Sequence, residues 1–137
     1  MTTEYSTALI VGSGSGLSAS LTRLLAREGF KVALAARNIE KLASLCESTG
    51  ATAYACDATD AAQVAQLFQD VEHKVGAPDV VIYNASARAR GPFVSLVASE
   101  VEQAIRVSAF GGFLVAQRRP GTFAHRRIEA RMLSPSM

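Results

Sequence analysis

A short apolar run that leads directly into three glycines is the feature that most constrains this chain. Residues 8–11 are Ala-Leu-Ile-Val, and Gly-Ser-Gly-Ser-Gly follows at residues 12–16. Continuously apolar runs of this length are typical of strands buried on both faces of a parallel sheet. Leucines at helical spacing come next, so the pattern predicts a strand, a glycine turn and a helix: Leu17, Leu21, Leu24 and Leu25.

The glycine turn has two interpretations. Glycines also serve ordinary connections between a strand and a helix. A turn of this kind can instead let a phosphate approach the backbone, where the free N–H groups and the positive end of the helix dipole meet it. The position after the first strand and before a second one favours this interpretation. We therefore expect a dinucleotide pyrophosphate at the turn.

The rest of the chain alternates apolar runs with amphipathic segments. Residues 31–36, 52–56 and 79–83 predict three further strands. The helices between them end near Gly29 and Gly50, and the third carries an apolar face. This alternation predicts an α/β fold: a Rossmann-like, doubly wound parallel sheet of four strands in the order 3-2-1-4, with helices on both faces. The apolar face consists of Val64, Leu67, Phe68, Val71 and Val75.

Two helical segments carry local signals. Asn38 is a favoured N-cap for the helix that carries Ile39, Leu42 and Leu45. Residues 99–117 predict a longer helix, which the glycines at 111–112 interrupt. Each glycine costs about 1 kcal/mol relative to alanine, so the pair predicts a kink or a close packing contact. The residues expected on one side of this helix are Val101, Ala104, Ile105 and Val107.

Length and composition limit the classes of protein. With 137 residues the chain has room for one core and for no separate substrate domain. Hydrophobic residues make up 49% and charged residues 19%, as in soluble globular proteins. We expect no membrane span and no secretory signal, and hence a cytoplasmic location. Cys46 and Cys56 have neither metal-ligand spacing nor a disulfide pattern, so we expect free thiols.

The glycine turn resembles that of the short-chain dehydrogenase/reductase family, and the resemblance covers residues 7–117. The Thr-Gly-x-x-x-Gly-x-Gly pattern of the family is similar to residues 11–18, with Val11 in place of the threonine and Ser18 in place of the last glycine. That last glycine permits close packing of the helix on the strand. Ser18 therefore adds a side chain where room is limited, which predicts weakened rather than abolished binding.

Two further segments resemble the family. The Asp-Val that contacts adenine after the third strand is similar to Asp57-Ala58, and the Asn-Asn-Ala-Gly after the fourth strand is similar to residues 83–86. Members of the family bind NAD(H) or NADP(H) on a Rossmann fold and transfer a hydride to or from a carbonyl, alcohol or enoyl substrate. The resemblance implies these cofactor-binding residues: Gly12, Ser13, Ser15, Gly16, Leu17, Arg37, Asp57, Ala58, Asn84, Ala85 and Ser86.

The residues after the second strand bear on the choice of cofactor. A carboxylate about 20 residues beyond the glycines bonds the ribose 2′-hydroxyl of NAD. Here the segment reads Ala35, Ala36, Arg37, so no acid is present. The Arg37 guanidinium can pair with a 2′-phosphate, and the Ser13 hydroxyl can donate to it as well. We expect NADP(H) to be preferred, with NAD(H) possible; in the alternative, Arg37 is only a solvated residue.

The catalytic residues that the resemblance implies are absent. Tyr5, Tyr54 and Tyr83 have no lysine four residues later, so the chain has no Tyr-x-x-x-Lys, and it also lacks the later strand that supplies the catalytic serine. Ser108 falls where the family has an asparagine, and we interpret it as a helix-surface or packing residue. His73 and His125 have no cysteine, serine or acidic residue at the spacing of a catalytic pair, so we expect both to face solvent. We therefore expect no turnover from the chain as written; the alternative is a non-catalytic nucleotide-binding or interaction module.

Residues 118–137 differ in charge from the preceding part of the sequence. They carry five arginines against one glutamate, whereas residues 1–117 have an acidic excess of two. We expect a nucleotide-binding domain over residues 1–117, followed by an irregular basic tail that is a truncated, alternative or frame-shifted end, or else a divergent natural terminus. A short basic tail is more often solvated than bound to nucleic acid. The unpaired edge of the fourth strand predicts a homo-oligomer.

Overall fold

Strands and helices alternate along the computed structural model, which describes residues 5–118. The parallel strands are β1 (Thr7–Val11), β2 (Lys31–Ala36), β3 (Thr52–Ala55) and β4 (Val80–Tyr83). The helices are α1 (Leu17–Arg27), α2 (Ala43–Thr49), α3 (Ala61–Lys74), α4 (Ala98–Ile105) and α5 (Gly111–Gln117). Short 3₁₀ turns occupy Glu40–Leu42 and Phe93–Ser95.

The four strands form one parallel sheet in the order β3-β2-β1-β4, which confirms the predicted order. In this register Ile10 of β1 faces Leu34 of β2 on one side and Ile82 of β4 on the other. β1 is buried along its whole length, as expected for a central strand. Within residues 5–118, β4 pairs with β1 alone, so its other edge has no strand partner.

Alternate side chains of the strands build two cores, one on each face of the sheet. On one face Leu9 and Val11 pack with the apolar sides of α3 and α5. On the other face Ile10 and Leu34 pack with residues of α1 and α2. This arrangement is the predicted doubly wound fold. The buried α3 residues are Val64, Leu67, Phe68 and Val71, as their spacing predicts.

The start of the second helical segment differs from the prediction. The Asn38 side chain accepts a hydrogen bond from Glu40 N at 3.0 Å, and the chain then forms the 3₁₀ turn before α2 begins at Ala43. The Asn38 amide therefore does not cap the α-helix, because it bonds the backbone two residues ahead at the first residue of the 3₁₀ turn, and Ile39 lies before both elements. The predicted end is confirmed, since Gly50 has a left-handed φ of 77°.

The long helical segment changes its winding before the glycine pair. A π-helical turn spans Arg106–Phe110 between α4 and α5. The predicted apolar side is wrong in part, since Ile105 is 61% exposed and α4 buries no residue. The extra residue in a π turn rotates the faces before and after it relative to each other. The buried residues of the segment 98–117 therefore all belong to α5: Gly111, Leu114 and Val115.

No helix within residues 5–118 is both long and apolar enough to cross a membrane. His73 is exposed on α3, in agreement with its expected solvent-facing position. The predicted tail lies outside the described residues apart from Arg118, and so does His125.

Candidate functional site

A cavity of about 340 Å³ lies at the carboxyl ends of the four strands. In open parallel sheets, ligands bind at this edge. Its volume falls within the range of about 300–1,000 Å³ found for small-molecule sites. Eight of the eleven predicted cofactor residues line it: Gly12, Ser13, Arg37, Asp57, Ala58, Asn84, Ala85 and Ser86.

The other three predicted residues lie outside this cavity. Ser15 and Gly16 belong to the exposed turn before α1, and Leu17, the first residue of α1, is 62% exposed. A Cβ atom added at Gly14 or Gly16 would meet no other atom within 4 Å. The outer part of the glycine turn is therefore open, and its glycines are not required by contacts within the described chain.

Gly12 is required by the fold. Its φ is +91°, a left-handed conformation that side chains rarely adopt. A Cβ atom at this position would lie 2.3 Å from the backbone nitrogen of Ala85. Asn84 N also donates to Val11 O at 2.8 Å. The glycine turn after β1 is thus in direct contact with the turn after β4, and only glycine permits this approach.

Ser18 joins the same two turns through its hydroxyl group. The side chain is 1% exposed, and its Oγ donates to the carbonyl oxygen of Gly12 at 3.0 Å. The same Oγ accepts a hydrogen bond from Nδ2 of Asn84, also at 3.0 Å. The expectation of simple crowding is therefore incomplete, because the hydroxyl has a partner on each side. A hydroxyl in place of a packing glycine was the available sequence signal for this contact.

Two cationic side chains line the cavity beyond β2. Arg37 was predicted, whereas Lys41 was not, and Asn38 lies between them in the chain and also lines the cavity. Both cations are exposed, so their long side chains keep their charge in contact with water. Lys41 lies within the 3₁₀ turn Glu40–Leu42. Its place in the cavity wall depends on this turn, which the sequence analysis did not predict. No acidic residue lies within β2, and Arg37 follows it directly.

The carboxylate of Asp57 is held in place at the end of β3. Its Oδ1 accepts hydrogen bonds from Thr59 N at 2.9 Å and from Thr59 Oγ1 at 2.8 Å. These two bonds lower the pKa of Asp57, and the positive charges of Arg37 and Arg106 lower it further. Asp57 is therefore ionised at neutral pH and contributes a negative charge to the cavity wall.

The Ser13 hydroxyl already has a partner in the main chain. Its Oγ donates to the carbonyl oxygen of Ile10 at 3.2 Å. The predicted donation to a phosphate therefore requires this hydroxyl to rotate away from the main chain. Among the predicted phosphate donors, Arg37 is the one whose charge already faces the cavity.

Tyr83 explains the glycine pair of the long helix. Its hydroxyl donates to the carbonyl oxygen of Val107. A Cβ atom at Gly111 would lie 2.3 Å from this hydroxyl oxygen, and one at Gly112 would lie 3.3 Å from the ring. Burial raises the pKa of Tyr83, and the nearby Asp57 charge raises it further. The aromatic ring and its hydroxyl thus occupy the space that side chains at these two positions would need.

Ser108 has a structural contact, in agreement with its interpretation as a packing residue. Its Oγ accepts from Ala87 N and donates to Ala87 O, both at 3.2 Å. The π-helical turn is thereby tied to the loop after β4.

Burial raises the pKa of the Cys56 thiol to about 11, so this residue is a neutral part of the cavity wall. No three His, Cys, Asp or Glu residues in the described part of the chain are grouped to hold a metal ion.

A sequence model of the short chain dehydrogenase family matches residues 6–126. The chain belongs to the short-chain dehydrogenase/reductase family. A family member from Cryptosporiopsis is 31% identical over 116 residues, which cover 80% of this chain and 44% of that relative. The match to the family model extends past residue 118, the first residue of the basic segment.

Solved structures of family members have the same fold. A short-chain dehydrogenase/reductase from Serratia marcescens superposes with a TM-score of 0.75 at 22% identity, covering 82% of this chain and 48% of that one. An actinorhodin polyketide ketoreductase variant, solved with NADPH, superposes with a TM-score of 0.77 at 24% identity, covering 82% and 45%. This chain thus spans about half the length of the relatives it matches.

Proposed function

We propose that this chain binds NADP(H) in the cavity and is the nucleotide-binding part of a short-chain dehydrogenase/reductase. The observation that carries the proposal is the meeting of Arg37 and Lys41 with the Gly12 turn around one cavity. A nucleotide that carries an additional phosphate fits this combination, because cations pair with phosphate and a glycine turn admits it to the backbone.

The glycine turn fits a pyrophosphate. Gly14 and Gly16 leave open space on the outer side of the turn, where a Cβ atom would meet nothing within the chain. The first turn of α1 has no acidic residue, and its N-cap residue Gly16 makes no side-chain capping bond. Ala19 N and Ser20 N donate to the carbonyl oxygen of Gly16 at 3.1 and 3.2 Å, which leaves the N–H groups of Leu17 and Ser18 at the positive dipole end of the helix. An anion can satisfy both.

The segment after β2 favours NADP(H) over NAD(H). Ala35 and Ala36 stand where a ribose-binding carboxylate would exclude a 2′-phosphate, and two cations follow. Arg37 would hold the phosphate through paired N–H groups and Lys41 through its charge. Asp57, fixed by Thr59, would lie near the adenine part of the nucleotide.

The chemistry supplied by bound NADP(H) is hydride transfer, and the substrate class we propose is a carbonyl, alcohol or enoyl compound. The residues of this chain bind and orient the nucleotide, whereas the 137 residues contain no Tyr-x-x-x-Lys to move the substrate proton. We therefore expect these residues by themselves to bind without turnover. The second candidate is a nucleotide-binding module without catalysis; oxidation of NADPH by a carbonyl compound would exclude it.

Substitution of the two cations tests the cofactor assignment. We expect Arg37→Ala to weaken NADPH binding by about 2 kcal/mol, roughly thirtyfold, because charge-assisted hydrogen bonds to the 2′-phosphate are lost. Lys41→Ala should have a smaller effect in the same direction, and neither change should alter NADH binding by more than about twofold. Isothermal titration calorimetry with both nucleotides measures the difference.

Lys31→Ala is the matched control, because Lys31 is an exposed cation at the opposite end of β2. It should leave both affinities unchanged. Equal losses of NADPH and NADH affinity in Arg37→Ala would contradict the assignment to the 2′-phosphate.

A further inference from the structure

The hydroxyl of Ser18 determines which way the side-chain amide of Asn84 faces. A serine hydroxyl has one proton to donate, and that of Ser18 goes to the carbonyl oxygen of Gly12, which can only accept. The Ser18 oxygen can therefore only accept from Asn84. The NH₂ group of Asn84 satisfies this requirement at 3.0 Å, whereas its carbonyl oxygen would face another acceptor. The flipped amide would cost the Gly12 carbonyl its bond from Ser18, so the hydrogen-bond network favours the orientation in which NH₂ faces Ser18.

The backbone of Asn84 is held from the same side as its side chain. Asn84 N donates to Val11 O at 2.8 Å, and the following Ala85 packs against Gly12. Reversing the amide would break the bond between Asn84 Nδ2 and Ser18 Oγ. Asn84 lines the cavity, so its carbonyl oxygen remains as an acceptor for a ligand there.

We propose that Ser18 is a positioning residue that orients the Asn84 amide so that its carbonyl oxygen accepts a hydrogen bond from a donor group of the bound nucleotide. This inference rests on the proposed function for the ligand, but the orientation itself is a property of the chain alone. A glycine at position 18, which the family pattern has, would leave the Gly12 carbonyl and the Asn84 NH₂ group without this partner. This chain replaces a packing glycine by a group that selects one amide orientation.

The orientation is tested first without nucleotide, by ¹H–¹⁵N spectra of the full 137-residue chain. We expect the side-chain NH₂ signals of Asn84, assigned by their loss in Asn84→Ala, to shift and to exchange faster with solvent in Ser18→Gly. Two controls on the same helix should leave them in place. Ser20→Ala removes an exposed hydroxyl, and Thr22→Ala removes a buried one that donates to Ser18 O at 2.7 Å. Unchanged Asn84 signals in Ser18→Gly would overturn the inference.

The role in binding is tested by a double-mutant cycle on NADPH affinity. Ser18→Gly should weaken binding about fivefold, which corresponds to one net hydrogen bond. The same change should have no further effect in an Asn84→Ala background, because the amide it orients is gone. Thr22→Ala, which lowers stability without contacting Asn84, should leave the affinity unchanged.

The positioning role of Ser18 and the binding of NADPH are overturned by different results. Equal effects of Ser18→Gly in both backgrounds would overturn the positioning role, even where NADPH binds the wild-type chain. A wild-type chain that binds no NADPH would overturn the proposed function together with the ligand role of Asn84. In that case the NH₂ signals still decide whether Ser18 orients the amide.

Discussion

At the scale of single residues, the site depends on how closely two turns approach each other. Gly12 contacts Ala85 directly, and the hydroxyl of Ser18 joins the Gly12 carbonyl to the Asn84 amide. None of these contacts involves a long side chain, so the geometry is set by backbone atoms and small groups. The cations that would select the nucleotide, Arg37 and Lys41, are by contrast exposed and long.

Gly12 and Gly14 differ in their predicted tolerance to alanine. Gly12→Ala introduces a methyl group 2.3 Å from Ala85 N at a φ of +91°, so it should lower the free energy of unfolding by at least about 2 kcal/mol. Gly14→Ala is the matched control, since its methyl group would meet no atom within 4 Å. It should change stability by less than about 0.5 kcal/mol. Urea denaturation followed by circular dichroism measures both values, and equal midpoints would contradict the structure of the turn.

At the scale of elements, the interruption of the long helix serves the packing of β4 against it. Tyr83 at the end of β4 places its ring on Gly111 and Gly112 and its hydroxyl on Val107 O. The π-helical turn lies immediately before this contact and carries Ser108, which bonds the loop after β4. Two adjacent contacts thus tie the helix to the strand that bears Asn84 at its end.

The Tyr83 contact predicts coupling between two substitutions. Gly111→Ala should lower the free energy of unfolding by about 1–3 kcal/mol, because its methyl group would lie 2.3 Å from the Tyr83 hydroxyl oxygen. In a Tyr83→Phe background the same change should cost much less, since that oxygen is absent. Chemical denaturation of the four proteins in the cycle measures the coupling. Additive effects would show that the Tyr83 hydroxyl does not lie against this glycine.

The elements were predictable from sequence where one periodicity holds throughout an element. The four strands and the buried face of α3 follow from apolar runs and helical spacing that tertiary contacts do not alter. The buried face of the last helix was not predictable, because the π turn at Arg106–Phe110 has no signature in the spacing of Val101 and Ile105. Asn38 failed as a helix cap because its amide is satisfied by a bond only two residues away.

The candidate site was predictable to the extent that it lies on the ends of strands. Gly12, Asp57 and Asn84 follow β1, β3 and β4, and parallel strands bring their carboxyl ends to one edge. Lys41 was missed because its position depends on the 3₁₀ turn that precedes α2. The Ser18 contact was missed because only the packing of α1 reveals that its hydroxyl meets two polar groups.

At the scale of the whole molecule, several large apolar side chains of the described residues are exposed to solvent. Phe93 and Val94 are 90% and 92% exposed, and Ile105 of α4 is 61% exposed. β4 is the strand that precedes these residues in the chain, and within residues 5–118 one of its edges has no strand partner. Exposed apolar patches and open strand edges both promote association between protein chains.

We therefore predict that the chain self-associates. Light scattering coupled to gel filtration should give a concentration-dependent mass above the 14.4 kDa of one chain. The double substitution Phe93→Ser with Val94→Ser should lower this mass. Leu17→Ser is the control, because Leu17 is 62% exposed at the start of α1 and away from these residues in the chain. A constant monomer mass at all concentrations would contradict the prediction.

The central claim is that the cavity at the carboxyl edge of the sheet takes NADP(H). The most direct test is isothermal titration calorimetry of the wild-type 137-residue chain with NADPH and, separately, with NADH. The account predicts one site per chain and an affinity for NADPH at least about tenfold higher than for NADH, because the cations at 37 and 41 contact the additional phosphate. Absence of binding by either nucleotide, or tighter binding of NADH, would contradict it.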